Sequence, residues 1–451
     1  MNAAMSNPSF DTTMTEGKPP ESRTPLDPTH LRLPEEMNFS CHNSGRCCED
    51  FWEIPLDDES LARLKSLPLS SISPKFLDPD HYTESGKGPK GGAALRRITG
   101  RCVFLDPSRR CLIHRYFDAA AKPQTCQDFP FRYIRTPQGI FVGLSMACPS
   151  VRANRGQPVR ERRQELAEAY AKSRSVATVG DPIELSPGLP MDFDAYEQIE
   201  SALNDILTAE TLSLDDRLIA GYVFLQLLDR AARKLGESAD RAGDNVVRLV
   251  QAFREDQFRR AIGIARKARG SVRFHRALLG LLLTYRSAFD ERKRGRLGRS
   301  AYLLYQYLRH MGGFGTLVMP PVEERLSFSR LRAIRADWSD PFSVHLIERF
   351  CVHSLFRKDA IVATPLLEGY AFLLVFVALI RWYAAAYAAT RNVPAVERAD
   401  VEEAIGAVEK YYCFHTDFMR LFDHYPILRQ IVERLLAKPV FAPSMLRPKG
   451  P

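Results

Sequence analysis

Hydrophobic and polar positions change rhythm twice along this chain. Residues 1–36 are rich in Pro, Thr, Ser and charge without apolar periodicity, the pattern of a disordered leader. From Met37 to about Ser150, short apolar runs alternate with Gly and Pro turns. There, RITGRCVFLD and CLIH predict two short strands around PSRR, and YIRT and IFVGLSMA predict a second hairpin around PQG. A helix is expected over residues 57–67, and a Gly/Lys-rich loop over 86–92. After Val151 the period becomes helical almost to the end. Ile199, Leu203, Ile206 and Leu207 recur at helix spacing, and Ser213 is placed to cap a helix running to Gly236. Amphipathic segments follow at 244–263, 272–288, 298–310, 343–357, 364–389 and 398–421. No sequence repeat supports a solenoid. The expected fold is mainly α: a small cysteine-rich α+β metal-binding module over 37–150, followed by a large α-helical domain over 151–451.

Composition narrows this picture. A chain of 451 residues with 45% hydrophobic content, 26 Phe and 16 Tyr is not mostly disordered. Its net charge of +9 is a weak pointer to an acidic partner. Residues 369–380, GYAFLLVFVALI, are apolar throughout, but twelve residues fall short of the ~18 to 20 a bilayer crossing needs. Reading on to Ala389 places Arg381 in mid-span, a costly guest in hydrocarbon, so a buried core helix and no membrane contact are expected.

Cysteine placement carries the chemistry. Of nine cysteines, seven lie between Cys41 and Cys148, and Cys351 and Cys413 stand apart. Such crowding means a disulfide framework or a metal site. The N-terminus has no basic start followed by an apolar run, so a cytoplasmic location, reduced thiols and a metal are expected. Four thiolates complete a zinc or iron–sulfur site, and ligands drawn from distant loops would tie a small module together. Adjacent side chains of an extended segment point to opposite sides, so Cys47 and Cys48 are not expected to share one metal simply. Seven cysteines suit one four-thiolate site with spares, or two sites completed by His42, His114 or a non-protein ligand.

The blocks FxCxxxGxCC at Phe39 to Cys48, CxFLD at Cys102, CxIH at Cys111, PxxCxxFPF around Cys126 and GLSxxCP at Cys148 resemble the zinc- or iron-chelating cysteine-cluster family. Within it, the chain resembles the flagellin lysine-N-methylase branch, in which such a module precedes a long helical region. The match is detailed over 37–150 and general beyond it. The resemblance implies metal ligands among Cys41, Cys47, Cys48, Cys102, Cys111, Cys126 and Cys148. It also implies an iron–sulfur cluster, 4Fe-4S in the first instance and zinc as the alternative. S-adenosylmethionine would be the methyl donor and a protein lysine, flagellin among the candidates, the acceptor. Ser44 departs from the wider family's cysteine at that place and favours a single cluster, with room for an open coordination position. His415, in YYCFHTDFMRLF, resembles a histidine-bearing segment near the end of those methylases and is a candidate base.

Other signals are weaker. His310 to Gly315, HMGGFG, follows a helix rather than a strand and reads as a helix terminator rather than a nucleotide loop. Cys351 with His353 and Cys413 with His415 are spaced two apart in predicted helices, about 200° around the axis, so they do not converge on one metal. Basic stretches at 254–276 and 291–299 read as solvated helix faces, with docking of an acidic protein as the minor reading. Nucleic acid is not expected, because no recognition motif or stacking aromatics accompany the charge. The rival to an enzyme is a non-catalytic zinc- or iron-binding module whose helical domain engages a partner protein.

Overall fold

The computed structural model describes residues 26–49, 53–87, 91–173, 176–235, 256–290, 296–319, 322–413, 430, 434–436 and 438–449. It divides into two compact units, Met1–Thr178 and Val179–Pro451.

In the first unit, strands β1 (Leu31–Arg32), β2 (Pro55–Leu56), β3 (Thr83–Ser85), β4 (Ala93–Leu95), β5 (Arg97–Ile98), β6 (Arg101–Cys102), β7 (Phe131–Thr136), β8 (Gly139–Leu144) and β9 (Val176–Thr178) alternate with short helices. These helices are α1 (Asp58–Ser66), α2 (Leu112–Tyr116), α3 (Gln124–Asp128), α4 (Pro149–Ala153) and α5 (Arg163–Lys172). The expected PQG hairpin is present: β7 and β8 pair antiparallel from Phe131 opposite Leu144 to Thr136 opposite Gly139. Flanked by β1 and β9, both parallel to their neighbours, they make a sheet of order β1-β8-β7-β9. Helix α5 lies on this sheet, with the Tyr133 hydroxyl donating to Leu166 O at 3.2 Å and the Tyr133 and Tyr170 rings 5.4 Å apart, edge on. A second core gathers Leu64, Phe76, Tyr82, Leu95, Phe104 and Ile113 beneath the antiparallel β2-β4-β3 sheet. The helix expected over 57–67 is α1, capped by Asp57, whose carboxylate accepts from Ser60 N at 2.7 Å.

Three expectations are corrected here. The leader does not run to residue 36: Leu31 and Leu33 are buried and β1 is already part of the sheet, so the unit holds the chain from Leu26 onward. The unit closes at Thr178 rather than at residue 150, because α5 covers the sheet and β9 completes it. CLIH is not a strand. One isolated bridge, Leu105 to Cys111, starts the pairing, and the chain then turns into α2, while the hairpin forms earlier between β5 and β6. Of the 86–92 loop, residues 88–90 lie outside the described residues.

The second unit is mainly helical, with helices α6 (Phe193–Leu207), α7 (Leu214–Leu235), α8 (Asp256–Lys267), α9 (Val272–Asp290), α10 (Arg296–Gly312), α11 (Phe328–Ala333), α12 (Pro341–Phe356), α13 (Asp359–Val362), α14 (Leu366–Thr390), α15 (Arg398–Tyr411) and α16 (Phe441–Leu446). It is less purely helical than the periodicity suggested. Short hairpins β10 (Ile183–Ser186) with β11 (Leu189–Met191), and β12 (Thr316–Met319) with β13 (Val322–Ser327), interrupt it. Ile199, Leu203, Ile206 and Leu207 form the buried stripe of α6. Ser213 caps α7, its hydroxyl oxygen accepting from Asp216 N at 3.2 Å. The segment expected at 244–263 is described only from residue 256, and that expected at 398–421 only to 413, with its helix ending at Tyr411.

Helix α14 is long and apolar enough to cross a membrane by length and composition, and 83% of its apolar window is buried inside the protein. Arg381, midway along it, donates to Asp215 Oδ1 at 2.6 Å and Leu446 O at 3.0 Å, so its charge is matched within the protein. A second buried charge cluster stands where α12 ends. The Arg357 guanidinium donates to Glu409 Oε1 at 2.5 Å, Glu409 Oε2 at 3.1 Å and Asp359 Oδ2 at 2.5 Å, and Lys358 Nζ donates to Glu200 Oε2. HMGGFG ends α10 as expected: Gly313, at φ +63°, donates its N–H to Arg309 O at 2.8 Å.

Candidate metal centre

The cysteine segment is laid down by backbone pairing rather than by a regular element. Phe39 N donates to Gln157 O at 2.9 Å, Ser40 N to Arg155 O at 3.2 Å and Asn38 N to Asn154 Oδ1 at 2.7 Å. His42 N donates to Ser150 Oγ at 3.1 Å, which ties the residues beside Cys41 to those beside Cys148. Asn154, Arg155 and Gln157 therefore hold the segment before the first cysteine in place although they lie beyond the expected boundary at 150. The turn signal in Asn-Arg-Gly was the sequence feature that could have revealed them.

Gly45 makes the next turn possible. Its φ is +67°, and a Cβ there would stand 2.3 Å from Arg109 O, so only glycine lets this turn rest on the loop that leads to Cys111. The chain then coils into a 3-10 turn over Arg46–Cys48. The vicinal pair is thus not extended, and the expectation that its side chains diverge is overturned: the two Sγ atoms are 3.9 Å apart. The turn is anchored by Glu49, which pairs with Arg101 at 2.9 Å and Arg109 at 3.1 Å, and by Arg97, which donates to Cys48 O at 3.3 Å.

The remaining thiols arrive from separate elements. Cys102 ends β6, Cys111 precedes α2, Cys126 lies in α3 and Cys148 precedes α4. Cys48, Cys102, Cys111 and Cys126 all pack on the core of Phe76, Tyr82 and Phe104. The Cys48 thiol is pushed up by its hydrogen bond to Cys47, then by burial and by Cys47, Cys102 and Cys111. Burial pushes Cys102 up to about 11, with Cys111 and Cys47 adding to it. Burial also raises Cys126, helped by Cys102, Cys111 and Cys47. Cys148 is raised first by burial and further by Cys47 and Cys41.

None of the nine cysteines forms a disulfide in this structure. Two thiolates on one tetrahedral zinc, each at ~2.3 Å, stand about 3.8 Å apart. The Cys47 and Cys48 sulfurs meet that spacing. Among the described residues, no three His, Cys, Asp or Glu side chains are drawn together closely enough to hold an ion. The donor chemistry and one pair therefore fit a soft metal, while a complete ligand set is not formed. His42 and His114 are exposed, and burial followed by the Lys122 charge holds the His114 imidazole below its usual range.

Cys351 and Cys413 are core thiols, both raised chiefly by burial, and His353 is buried against the Phe356 ring at 6.0 Å. His415 lies outside the described residues. An open groove of about 560 Å³ in the first unit, lined among others by His30, Arg135, Gln138 and Tyr170, contains no cysteine.

Comparison with known proteins gives a distant relationship. The chain is 27% identical over 117 residues to the Flagellar biosynthetic protein FliU of Salmonella muenchen, covering 25% of this chain and 69% of that protein. It is 29% and 30% identical over 119 and 118 residues to proteins named Lysine-N-methylase from Salmonella choleraesuis and Salmonella typhimurium. Each of these matches covers 25% of this chain and 29% of the methylase. No family model matches the chain, and no solved structure is detectably similar to it. What the comparisons establish is a remote kinship, over a quarter of the chain, with proteins named for lysine methylation and flagellar biosynthesis.

Proposed function

We propose that this protein is a metal-dependent lysine N-methyltransferase that moves a methyl group from S-adenosylmethionine to lysine side chains of a protein, flagellin being the first candidate. The observation that carries this reading is the similarity to two proteins named Lysine-N-methylase. Support comes from the thiols of Cys47, Cys48, Cys102, Cys111 and Cys126, none of them in a disulfide, with Cys148 near enough to feel Cys47 and Cys41. Four of these seven would hold an iron–sulfur cluster, or zinc as the alternative. When bound, the metal supplies either a tie between loops or a Lewis-acid position for the amino and carboxylate groups of the donor.

The chain's own residues carry three tasks in this reading. Burial raises the Cys102 and Cys126 thiols, so their release of a proton to become ligands depends on the metal's charge. The acceptor lysine, with a free pKa of ~10.4, must be bound neutral, by desolvation or beside a base. Nitrogen, methyl carbon and sulfur must lie in line, which needs a site that positions both substrates.

A second reading, a non-catalytic zinc- or iron-binding module, draws on one observation: the charged residues beside the cysteine turn, Glu49, Arg101 and Arg109, pair with one another. Anaerobic purification with iron, sulfide and zinc analysis and an absorption spectrum tests the metal. A brown protein with matching iron and sulfide is expected, and a colourless protein with stoichiometric zinc would sink the iron–sulfur assignment. Incubation with radiolabelled S-adenosylmethionine and flagellin then tests the activity. Label on lysine is expected, and its absence despite a loaded metal leaves the binding module standing.

A further inference from the structure

Helix α10 has two apolar faces, and the protein covers one of them. The covered face carries His310, buried edge-on against Phe328 at 5.5 Å and resting over Gly280 of α9. The other face shows Leu304 at 59% exposure, Tyr305 at 53% and Leu308 at 51%, with exposed Ala301 before them. Positions 301, 304, 305 and 308 follow the i, i+3, i+4, i+7 spacing of one helix stripe. Phe314, 55% exposed on the turn after the helix, extends it. Half of the eight exposed large hydrophobic residues of the described protein thus lie on one helix and its terminal turn. Single exposed apolar residues are ordinary, but a contiguous stripe marks an interaction surface.

Three arginines stand at the C-terminal end of this stripe. The Arg309 guanidinium lies 5.1 Å from the centroid of the Tyr305 ring. Arg332 donates to Gly313 O at 2.6 Å, and the Arg276 guanidinium stands 3.8 Å from where a Gly313 Cβ would be. Among the described residues none of these three arginines has a carboxylate partner, and Arg309, only 8% exposed, keeps an Nε without a hydrogen bond. Arg309 also donates to Thr316 Oγ1 at 3.3 Å and backs the Tyr305 ring, whereas half-buried Arg276 and exposed Arg332 match carboxylates of an incoming chain.

We propose that this face of α10 and the Gly312 to Gly315 turn dock an acidic amphipathic segment of a partner protein, its apolar side chains on Leu304, Tyr305, Leu308 and Phe314 and its carboxylates on Arg276 and Arg332. This goes beyond the methylation reading and stands without it. Charge complementarity selects the occupant. A second copy of the chain would bring two arginine clusters together, on molecules that each carry +9. A lipid surface calls for long cationic side chains reaching outward, whereas Arg309 and Arg332 fold back onto the helix and its turn. A nucleic acid calls for open aromatic faces, and the Tyr305 ring is already covered by Arg309 while its neighbours are leucines.

The test uses the full chain and a fluorescent peptide of about 18 residues, with Leu and Phe at i, i+3, i+4 and i+7 and Glu on the opposite face. Saturable binding by anisotropy is expected, weakened by salt. The variant carrying Leu304→Ser and Leu308→Ser should bind at least about tenfold more weakly, about 1.4 kcal/mol, with an unchanged melting temperature because both positions are exposed. The variant carrying Arg276→Glu and Arg332→Glu should lose most of the salt dependence. Three outcomes would overturn the proposal: no saturable binding, equal binding of a scrambled peptide of the same composition, or full binding by the serine variant. So would preferential, leucine-dependent binding of phosphatidylglycerol vesicles or of oligothymidine over the peptide.

Discussion

Replacing Arg357 by Met is the most severe local test of the second unit's architecture. The guanidinium makes three hydrogen bonds to Glu409 and Asp359, whose side chains are 0% and 2% exposed. Methionine fills much of the volume but removes the guanidinium from two buried carboxylates. Breaking a buried pair in this way costs about 3 to 5 kcal/mol. For a unit of this size that is a fall of about 10 °C in melting temperature. Glu397→Gln, which removes a largely exposed carboxylate from Arg391, should cost no more than about 0.5 kcal/mol. The pH dependence supplies the sharper check. Without the guanidinium, burial raises the folded-state pKa values of Glu409 and Asp359 above their unfolded values near ~4. Groups shifted in that direction contribute stability below the unfolded pKa and lose it as pH rises through the folded one. The difference between wild type and Arg357→Met should therefore be widest at neutral pH and narrow towards about pH 4. Urea unfolding at several pH values, followed by circular dichroism, measures it. A loss below about 1 kcal/mol, or one equal at all pH values, would show that the cluster acts through packing alone.

Other expectations concern the cysteine turn and one histidine. Cys48→Ser should abolish most of the bound metal, whereas Cys351→Ala, in the distant core, should leave metal content unchanged while lowering stability by about 1 to 2 kcal/mol; elemental analysis and thermal melts distinguish them. Gly45→Ala forces both a left-handed backbone and a clash with Arg109 O, at about 2 to 4 kcal/mol, and should lose metal with the turn; retention of full metal content would show that the turn is not needed for it. Burial, with a smaller contribution from Arg309, pulls the His310 imidazole down to about 4. Because the unfolded chain then binds a proton that the folded one refuses, stability should be full above about pH 6.5 and fall by up to about 3 kcal/mol as pH drops towards about 4. His310→Phe should flatten that stretch of the profile in urea titrations.

Much of the architecture was legible because its patterns are strong. The β7–β8 hairpin declares itself by a Pro-Gln-Gly turn between apolar runs, and α6, α7 and α14 by buried stripes or continuous apolar length. The crowding of seven cysteines marked the candidate site, and Cys351 and Cys413 were recognised as core thiols. Elements of two or three residues, such as β1 and β9, left no periodicity to read, and their parallel pairing depends on partners more than forty residues away or more. CLIH could not be told from a strand because four residues fit either period, and tertiary packing of Ile113 and Leu112 decided for helix. The closeness of Cys47 and Cys48 depends on Gly45 meeting the backbone of Arg109, a contact across the chain that no local pattern encodes.

The position of β9 bears on how the first unit can be isolated. A fragment cut at Ser150, where the cysteine pattern ends, would lack the strand that pairs with Tyr133, Ile134 and Arg135, and would lose the helix above them. It would present the β7 edge, with apolar side chains and unpaired N–H and C=O groups, as a template for self-association. Such a fragment should aggregate for reasons unrelated to its thiols, whereas one running to Thr178 keeps that edge paired.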